Sequence, residues 1–309
     1  MTQNQRDHGG GLDGAVSRWG GTRSDWIDLS TGINPVPYAV GQLSPDAWSA
    51  LPDRNAQDRL ITAARAFWAV PEGAKILAAP GASALIAKIP SLWPAGQVRI
   101  DAPTYNEHAA AFRNAGWEPG DGDAMVVVHP NNPDGRIWPE NALTAPFTLI
   151  DESFCDTCPS SSLIALSART GTIVLKSFGK FWGLAGLRLG FAIGEPYLID
   201  RLAEMLGPWP VSGPALEIGA KALEDTVWAN ATRDRLTEDS RRLDTAMGAH
   251  GTLVGGTSLF RLYDVGDAAA FQERLATAQI WSRIFPYSKG WVRLGLPAPS
   301  DWDRIEAAL

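Results

Sequence analysis

Few residues of the kind that staple a small scaffold or bind a metal are found here: 309 positions hold two cysteines and four histidines. Cys155 and Cys158 form a C-x-x-C spacing, but a structural zinc site needs four ligands, and neither a second C-x-x-C nor an H-x-x-x-H completes one. A redox pair favours a helix N-terminus. This pair directly follows a strand-like run, so neither a metal nor a redox role is expected for it. Long apolar stretches are also missing. Met1 to Gly11 is polar, unlike a secretory signal, and no later window approaches the apolar length of a membrane span. A cytoplasmic protein with no membrane partner is expected. Runs of one charge sign are absent too: 27 basic and 34 acidic side chains leave a net charge of -7, which argues against a nucleic-acid or anionic-membrane surface. Any anionic ligand must then be met by a few local arginines. Internal repeats and low-complexity segments are lacking.

With 45% of its residues hydrophobic, the chain is long enough to bury the core of a two-domain enzyme. From about Lys75 to Ile193, short apolar β-rich runs alternate with helix-like segments, the pattern of a mostly parallel sheet with helices packed on it. The runs are Lys75 to Ala79, Val98 to Asp101, Ala124 to His129, Phe147 to Asp151, Thr172 to Lys176 and Leu187 to Ile193. Each is nearly continuous in apolar residues, as expected of strands covered on both faces. Helices are expected over Ser83 to Trp93 and Glu107 to Ala115, where apolar stripes recur at helical spacing. Beyond Leu206 the character changes. Gly213 to His250 reads as one or two long helices, Gly256 to Tyr263 and Trp291 to Leu296 as strands, and Ala268 to Ala278 as a helix. The expected division is a large domain over residues 42–206 and a smaller one built from 1–41 and 207–309.

The residues suited to chemistry follow the strand-like runs: Gly81-Ala82-Ser83, Thr104-Tyr105, Asn131-Asn132-Pro133, Asp151-Glu152 and Ser177 to Lys180. Open α/β sheets bind ligands outside the carboxyl ends of their strands, so one site is expected there. Within it, Ser177-Phe178-Gly179-Lys180 followed by Gly186-Leu187-Arg188-Leu189-Gly190 frames a lysine with small residues and trails it with an arginine. That arrangement suits a phosphorylated aldehyde such as pyridoxal 5'-phosphate (PLP): the amine takes the aldehyde, Ser177 and Arg188 take the phosphate, and the glycines permit close approach. A buried carboxylate is needed to keep the pyridine nitrogen protonated, and Asp151 stands at a strand end. Tyr105 and Asn132 can supply a stacking ring and a donor to the 3' oxygen.

These motifs, in this order and over nearly the whole chain, resemble the fold-type I, class I/II aminotransferase superfamily of PLP enzymes. The fold this implies is α/β: a mostly parallel central sheet sandwiched by helices, with a smaller α+β domain formed by both chain ends. Within the superfamily, four phrases are similar to the threonine-phosphate decarboxylases of cobalamin biosynthesis. They are His8-Gly9-Gly10, the stretch from Asp28 to Pro35, the stretch from Pro208 to Pro214, and the stretch from Gly255 to Leu262. By that resemblance Lys180 holds the cofactor, Asp151 pairs with the pyridinium, Asn132 touches the 3' oxygen and Tyr105 stacks on the ring. Ala82, Ser83, Ser177 and Arg188 surround the phosphate, Arg283 and Arg293 meet the substrate's anionic groups, and His8 and Asn34 close over it. The implied reaction is decarboxylation of L-threonine O-3-phosphate to (R)-1-amino-2-propanol O-2-phosphate and carbon dioxide, in a homodimer. Histidinol-phosphate aminotransferases share most of the cofactor residues and are the alternative.

The sequence departs from the wider superfamily at four places. Phe154 stands where many relatives carry a tyrosine, Asp134 where threonine is common and Gly179 where serine is common. Leu51-Pro52-Asp53 lacks the tyrosine that relatives often extend to the partner subunit.

Overall fold

The computed structural model describes residues 8–309, so the first seven positions of the expected N-terminal arm lie outside the described residues. Helix α1 (Leu12–Trp19) and the two-residue strand β1 (Ile27–Asp28) come first. Helices α2 (Asp46–Ser49) and α3 (Arg54–Phe67) precede seven strands. These are β2 (Lys75–Ala79), β3 (Gln97–Ile100), β4 (Glu118–Pro119), β5 (Ala124–Val128), β6 (Phe147–Asp151), β7 (Thr172–Ser177) and β8 (Gly190–Gly194). Helices α4 (Ala82–Lys88) and α5 (Asn106–Asn114) lie among them, and α6 (Pro196–Leu206), α7 (Gly213–Glu224) and α8 (Thr226–Met247) follow. The chain closes with β9 (Thr252–Thr257), β10 (Phe260–Asp264), α9 (Ala268–Thr277), β11 (Ile280–Trp281), β12 (Arg283–Phe285), β13 (Ser288–Gly295) and α10 (Trp302–Ala308).

The seven strands form one sheet in the order β2-β8-β7-β6-β5-β3-β4. All neighbours run parallel except at β8, which is antiparallel to both β2 and β7. Every residue of β5, β6 and β8 is buried, as the continuous apolar runs require of strands covered on both faces. On one face Leu85, Ile86, Phe112, Trp117, Leu198 and Leu202 pack onto Val126, Leu149 and Leu175. The expected strand from Leu187 begins only at Gly190. Arg188 takes a left-handed backbone conformation (φ 54°, ψ 53°), which cannot continue a strand.

The chain divides into two compact units. The larger comprises Pro37–Asn132 and Arg136–Thr232; the smaller comprises the described residues to Val36, Pro133–Gly135 and Arg233–Leu309. Residues 207–232, expected in the smaller domain, thus cluster with the larger unit. The reason is local: Lys221 Nζ donates to the Gln42 carbonyl (3.1 Å), Ser44 Oγ donates to Glu217 (3.0 Å), and α7 packs on α3. Pro133–Gly135 clusters with the smaller unit because Gly135 (φ +73°) lies against Gly256, where a Cβ would meet the Gly256 carbonyl oxygen at 2.0 Å.

In the smaller unit a four-stranded antiparallel sheet runs β12-β13-β10-β9, and β1 pairs in parallel with β11. The region expected as one strand over Gly256 to Tyr263 is a hairpin, β9 turning through Ser258 and Leu259 into β10. Its two-residue turn has no Asn-Gly or Asp-Gly, the strongest short hairpin signal. Among the described residues no helix is long and apolar enough to cross a membrane.

Candidate active site

All eight residues selected for cofactor contact line a single cavity of the larger unit: Ala82, Ser83, Tyr105, Asn132, Asp151, Ser177, Lys180 and Arg188. Seven of them end a sheet strand, follow one or open the helix after it, and Arg188 stands two residues before β8. Ala82 and Ser83 begin α4, Tyr105 caps α5, Asp151 ends β6 and Ser177 ends β7. Ile86, Val128, Ser153, Phe154, Gly179 and Ala185 complete the lining.

Asp151 is 2% exposed and meets three hydrogen-bonding partners. Its Oδ1 accepts from Ser153 N (3.0 Å) and Ser153 Oγ (2.5 Å), and its Oδ2 lies 2.8 Å from His108 Nε2. Burial works to raise its pKa, but the hydrogen bond and charge of His108 together with the two Ser153 bonds outweigh it and hold the carboxyl below its ordinary value. Tyr105 meets the edge of the His108 ring at a centroid distance of 5.9 Å. Sequence reasoning missed His108. It sits on the buried side of α5 with Phe112, where a histidine reads as core, and its partner lies 43 residues away.

Lys180 Nζ stands 5.4 Å from the centre of the buried Phe154 ring. Beside it, Asn131 is locked by Thr104 Oγ1 (2.6 Å to Oδ1) and by its own Nδ2 donating to the Pro103 carbonyl (3.0 Å), which fixes the start of the loop bearing Asn132. Arg188 donates from Nη1 to the Ala185 carbonyl (3.0 Å), and its guanidinium lies over Gly81. Gly81 has φ +89°, a backbone conformation that favours glycine, and a Cβ there would come within 2.5 Å of Arg188 Nη2 and push the guanidinium from its place. At Gly179, in contrast, a Cβ would meet nothing closer than 3.4 Å.

Behind the cavity, Glu152 and Lys176 form a buried ion pair (2.6 Å) joining the ends of β6 and β7. Asp156 adds a second carboxylate 3.7 Å from Lys176 and accepts from Trp68 Nε1 (2.8 Å) and Trp182 Nε1 (3.1 Å). Burial works to lower the Lys176 pKa, but the two carboxylates prevail and raise it.

The four expected substrate residues lie in the smaller unit. Arg283 and Arg293 are direct partners across the β12–β13 ladder, so both side chains leave the same face. Arg293 is 5% exposed, donates from Nη2 to the Ser30 carbonyl (2.7 Å) and packs 5.2 Å from the Phe260 ring. Burial and the charge of Arg283 lower its pKa to about 10, which leaves it protonated at neutral pH. Arg283 Nη1 donates to the His8 carbonyl (2.6 Å), while Ser30 Oγ takes the Gly10 N–H (2.6 Å) and in turn donates to Asp28 (2.6 Å). The His8–Gly10 segment is thereby strapped to the arginine pair. Asn34 is buried, and its Oδ1 accepts from Val36 N (3.0 Å) and from Arg235 Nη2 (2.6 Å). Arg235, on α8, carried no motif that sequence could register.

The larger-unit cavity fits a phosphorylated pyridine aldehyde. It offers an amine, a buried ionised carboxylate, an aromatic ring, and a glycine-floored corner holding a guanidinium and a hydroxyl.

The profile of the family described as "Aminotransferase class I and II" matches residues 118–309. A threonine-phosphate decarboxylase of Pseudomonas aeruginosa is 40% identical over 98% of this chain and 97% of its own. One from a Sinorhizobium species is 40% identical over 96% of this chain and 95% of its own. Among solved structures, the histidinol-phosphate aminotransferase of Sinorhizobium meliloti in complex with pyridoxal-5'-phosphate superposes with a TM-score of 0.83, covering 97% of this chain and 93% of that one at 18% identity. At that identity the likeness concerns the fold.

Proposed function

Since the chain belongs to the class I and II aminotransferase family, we propose that it is a PLP-dependent carboxy-lyase that converts L-threonine O-3-phosphate to (R)-1-amino-2-propanol O-2-phosphate and carbon dioxide, a step of cobalamin biosynthesis. What carries this reading is 40% identity over nearly full length to two threonine-phosphate decarboxylases. A histidinol-phosphate aminotransferase of Trichormus variabilis is 29% identical over 53% of this chain.

PLP, when bound, supplies an electron sink for the pair left on the substrate's α-carbon. Every other contribution comes from the protein. Lys180 would hold the cofactor and would supply the amine able to move a proton at the substrate's α-carbon. Asp151, kept ionised by His108 and Ser153, holds the proton on the ring nitrogen. Tyr105 and Asn132 orient the ring, and Ser177, Arg188 and the Ala82–Ser83 backbone hold the phosphate.

Arg283 and Arg293 receive the substrate's two anionic groups, with Asn34 and the His8 segment beside them. Arginine suits both, because its planar fork binds carboxylate and phosphate bidentately. By fixing where the carboxylate sits, the two arginines would decide whether carbon dioxide or the α-proton leaves. A homodimer in the cytoplasm is part of the proposal. Trp48, Leu51 and Trp209, which are 73%, 70% and 53% exposed on the larger unit, offer apolar surface for a second copy.

The deciding experiment incubates PLP-loaded protein with O-phospho-L-threonine and no keto acid while carbon dioxide and the cofactor spectrum are followed. Continuing release of carbon dioxide is expected. Absence of release, with conversion of the cofactor to its amine form by histidinol phosphate, would overturn the reading in favour of an aminotransferase.

A further inference from the structure

The cysteines that the sequence set aside sit on a single tight turn. Cys155–Thr157 form a 3-10 turn directly after Asp151-Glu152-Ser153-Phe154, closed by the Cys158 N–H on the Cys155 carbonyl (2.9 Å). The 3-10 turn rises about 2.0 Å per residue, which sets the Cα atoms of Cys155 and Cys158 roughly 6 Å apart, with Cys158 leaving the turn in a non-helical conformation (φ -140°, ψ 64°). That separation lies inside the window of about 4.4–6.8 Å in which a disulfide forms without moving the backbone. The Cys155 side chain already points along the turn, with Sγ 3.8 Å from the Cys158 carbonyl oxygen. Both cysteines are free thiols. Cys155 is fully buried and Cys158 is partly exposed, so an oxidant meets Cys158 first.

A metal is the competing use of this corner, because His129, Glu152 and Cys155 bring ligand atoms within 4.8 Å of one another. The hydrogen bonds argue against it. His129 Nδ1 accepts from Trp138 N (3.1 Å), and Nε2 must donate to the Ser161 carbonyl (2.6 Å), which leaves no ring lone pair. Glu152 is engaged by Leu163 N (2.5 Å), Ser162 Oγ (2.7 Å) and the Lys176 ammonium (2.6 Å), which already supplies the positive charge.

We propose that Cys155 and Cys158 are a peroxide-sensitive dithiol that closes to a reversible intramolecular disulfide beside the cofactor cavity. The Cys158 sulfur, as thiolate, attacks one peroxide oxygen; the O–O bond breaks, and the departing hydroxide takes up the proton given by the Cys158 thiol, leaving as water. Cys155 Sγ then attacks the resulting sulfenic sulfur; the S–O bond breaks, and hydroxide leaves with the Cys155 proton as a second water. Two electrons pass from the thiols to the peroxide. The hydrogen bond between the thiols, ahead of burial, raises the Cys155 pKa and lowers that of Cys158, consistent with Cys158 acting first.

The test treats the intact, PLP-loaded protein with hydrogen peroxide, unfolds it in an alkylating reagent and measures its mass. The expected result is a protein lighter by two hydrogens, with alkylatable thiols falling from two to none and both restored by a thiol reductant. In Cys155→Ser the oxidation should stop at a sulfenic acid on Cys158, trapped by a dione reagent. Two thiols still alkylated after peroxide, or oxygen gained at Cys158 of the unsubstituted protein with Cys155 still a thiol, would overturn the proposal.

Discussion

His108 Nε2 lies 2.8 Å from Asp151 Oδ2, and both side chains are sealed from solvent. The carboxylate oxygen can only accept, so the imidazole carries its hydrogen on Nε2 and steadies the ionised acid. His108 therefore acts through Asp151 as a positioning residue.

Replacing His108 with phenylalanine should cost the cofactor-free protein about 1–3 kcal/mol at neutral pH, the cost of removing a hydrogen bond to a buried charge. The native pKa of Asp151 lies below 3.8, so its stabilising contribution is present above that value and lost as pH falls through the native one. Without His108 the loss should set in at a higher pH, and the acid limb of kcat/KM should move upward. An unmoved acid limb would show that Ser153 alone keeps Asp151 ionised.

Two glycines in the cavity should respond in opposite ways. Gly81→Ala places a side chain in a positive-φ extended conformation (φ 89°, ψ 155°) that is essentially restricted to glycine, pushes the Arg188 guanidinium aside, and should weaken PLP binding by tenfold or more, with about 1–3 kcal/mol of strain. Gly179→Ser meets only ordinary contacts and should leave thermal stability within about 0.5 kcal/mol of the parent. It should also tighten PLP binding through an added hydroxyl. Equilibrium dialysis of PLP and thermal melts on both variants check this.

Arg283 and Arg293 face each other across two strands, where like charges repel. An anion should relieve that repulsion, so O-phospho-L-threonine should raise the melting temperature, with a stabilisation of about 2.7 kcal/mol at a concentration roughly one hundred times Kd. In Arg293→Ala the increment should vanish while Lys180 keeps its PLP, measured by borohydride reduction and mass spectrometry. Lys180→Ala should lose both the covalent attachment and turnover.

Lys176→Met would leave Glu152 and Asp156 buried without their cation and should destabilise the fold by about 3–5 kcal/mol. The native pKa of Lys176 is raised above 10.5, so its contribution is complete below that pH and is lost as pH climbs through the native value. Alkaline melts of the parent protein should show that loss, and those of the variant should not.

The sheet was readable because strands buried on both faces leave apolar runs, and the residues that line the cavity because they lie at or after the ends of those runs. Tyr105, Asp151 and Ser177 were found that way. His108 and Arg235 were not, since each acts on a residue distant in sequence, Asp151 and Asn34, and has no local pattern. The β9–β10 hairpin was hidden by its Ser258–Leu259 turn, and the late start of β8 by the backbone of Arg188, which residue type does not disclose.

The cross-strand placement of Arg283 and Arg293 depends on a stretch of ladder that neither arginine belongs to. The β12–β13 register shifts between Ile284 and Phe285, so an extra residue can be taken up there, while the Arg283–Arg293 and Ile284–Val292 pairs keep their alternation of faces. A slip by one residue at the Ile284–Val292 pair, in contrast, would part the two guanidinium groups to opposite faces with both arginines still in place.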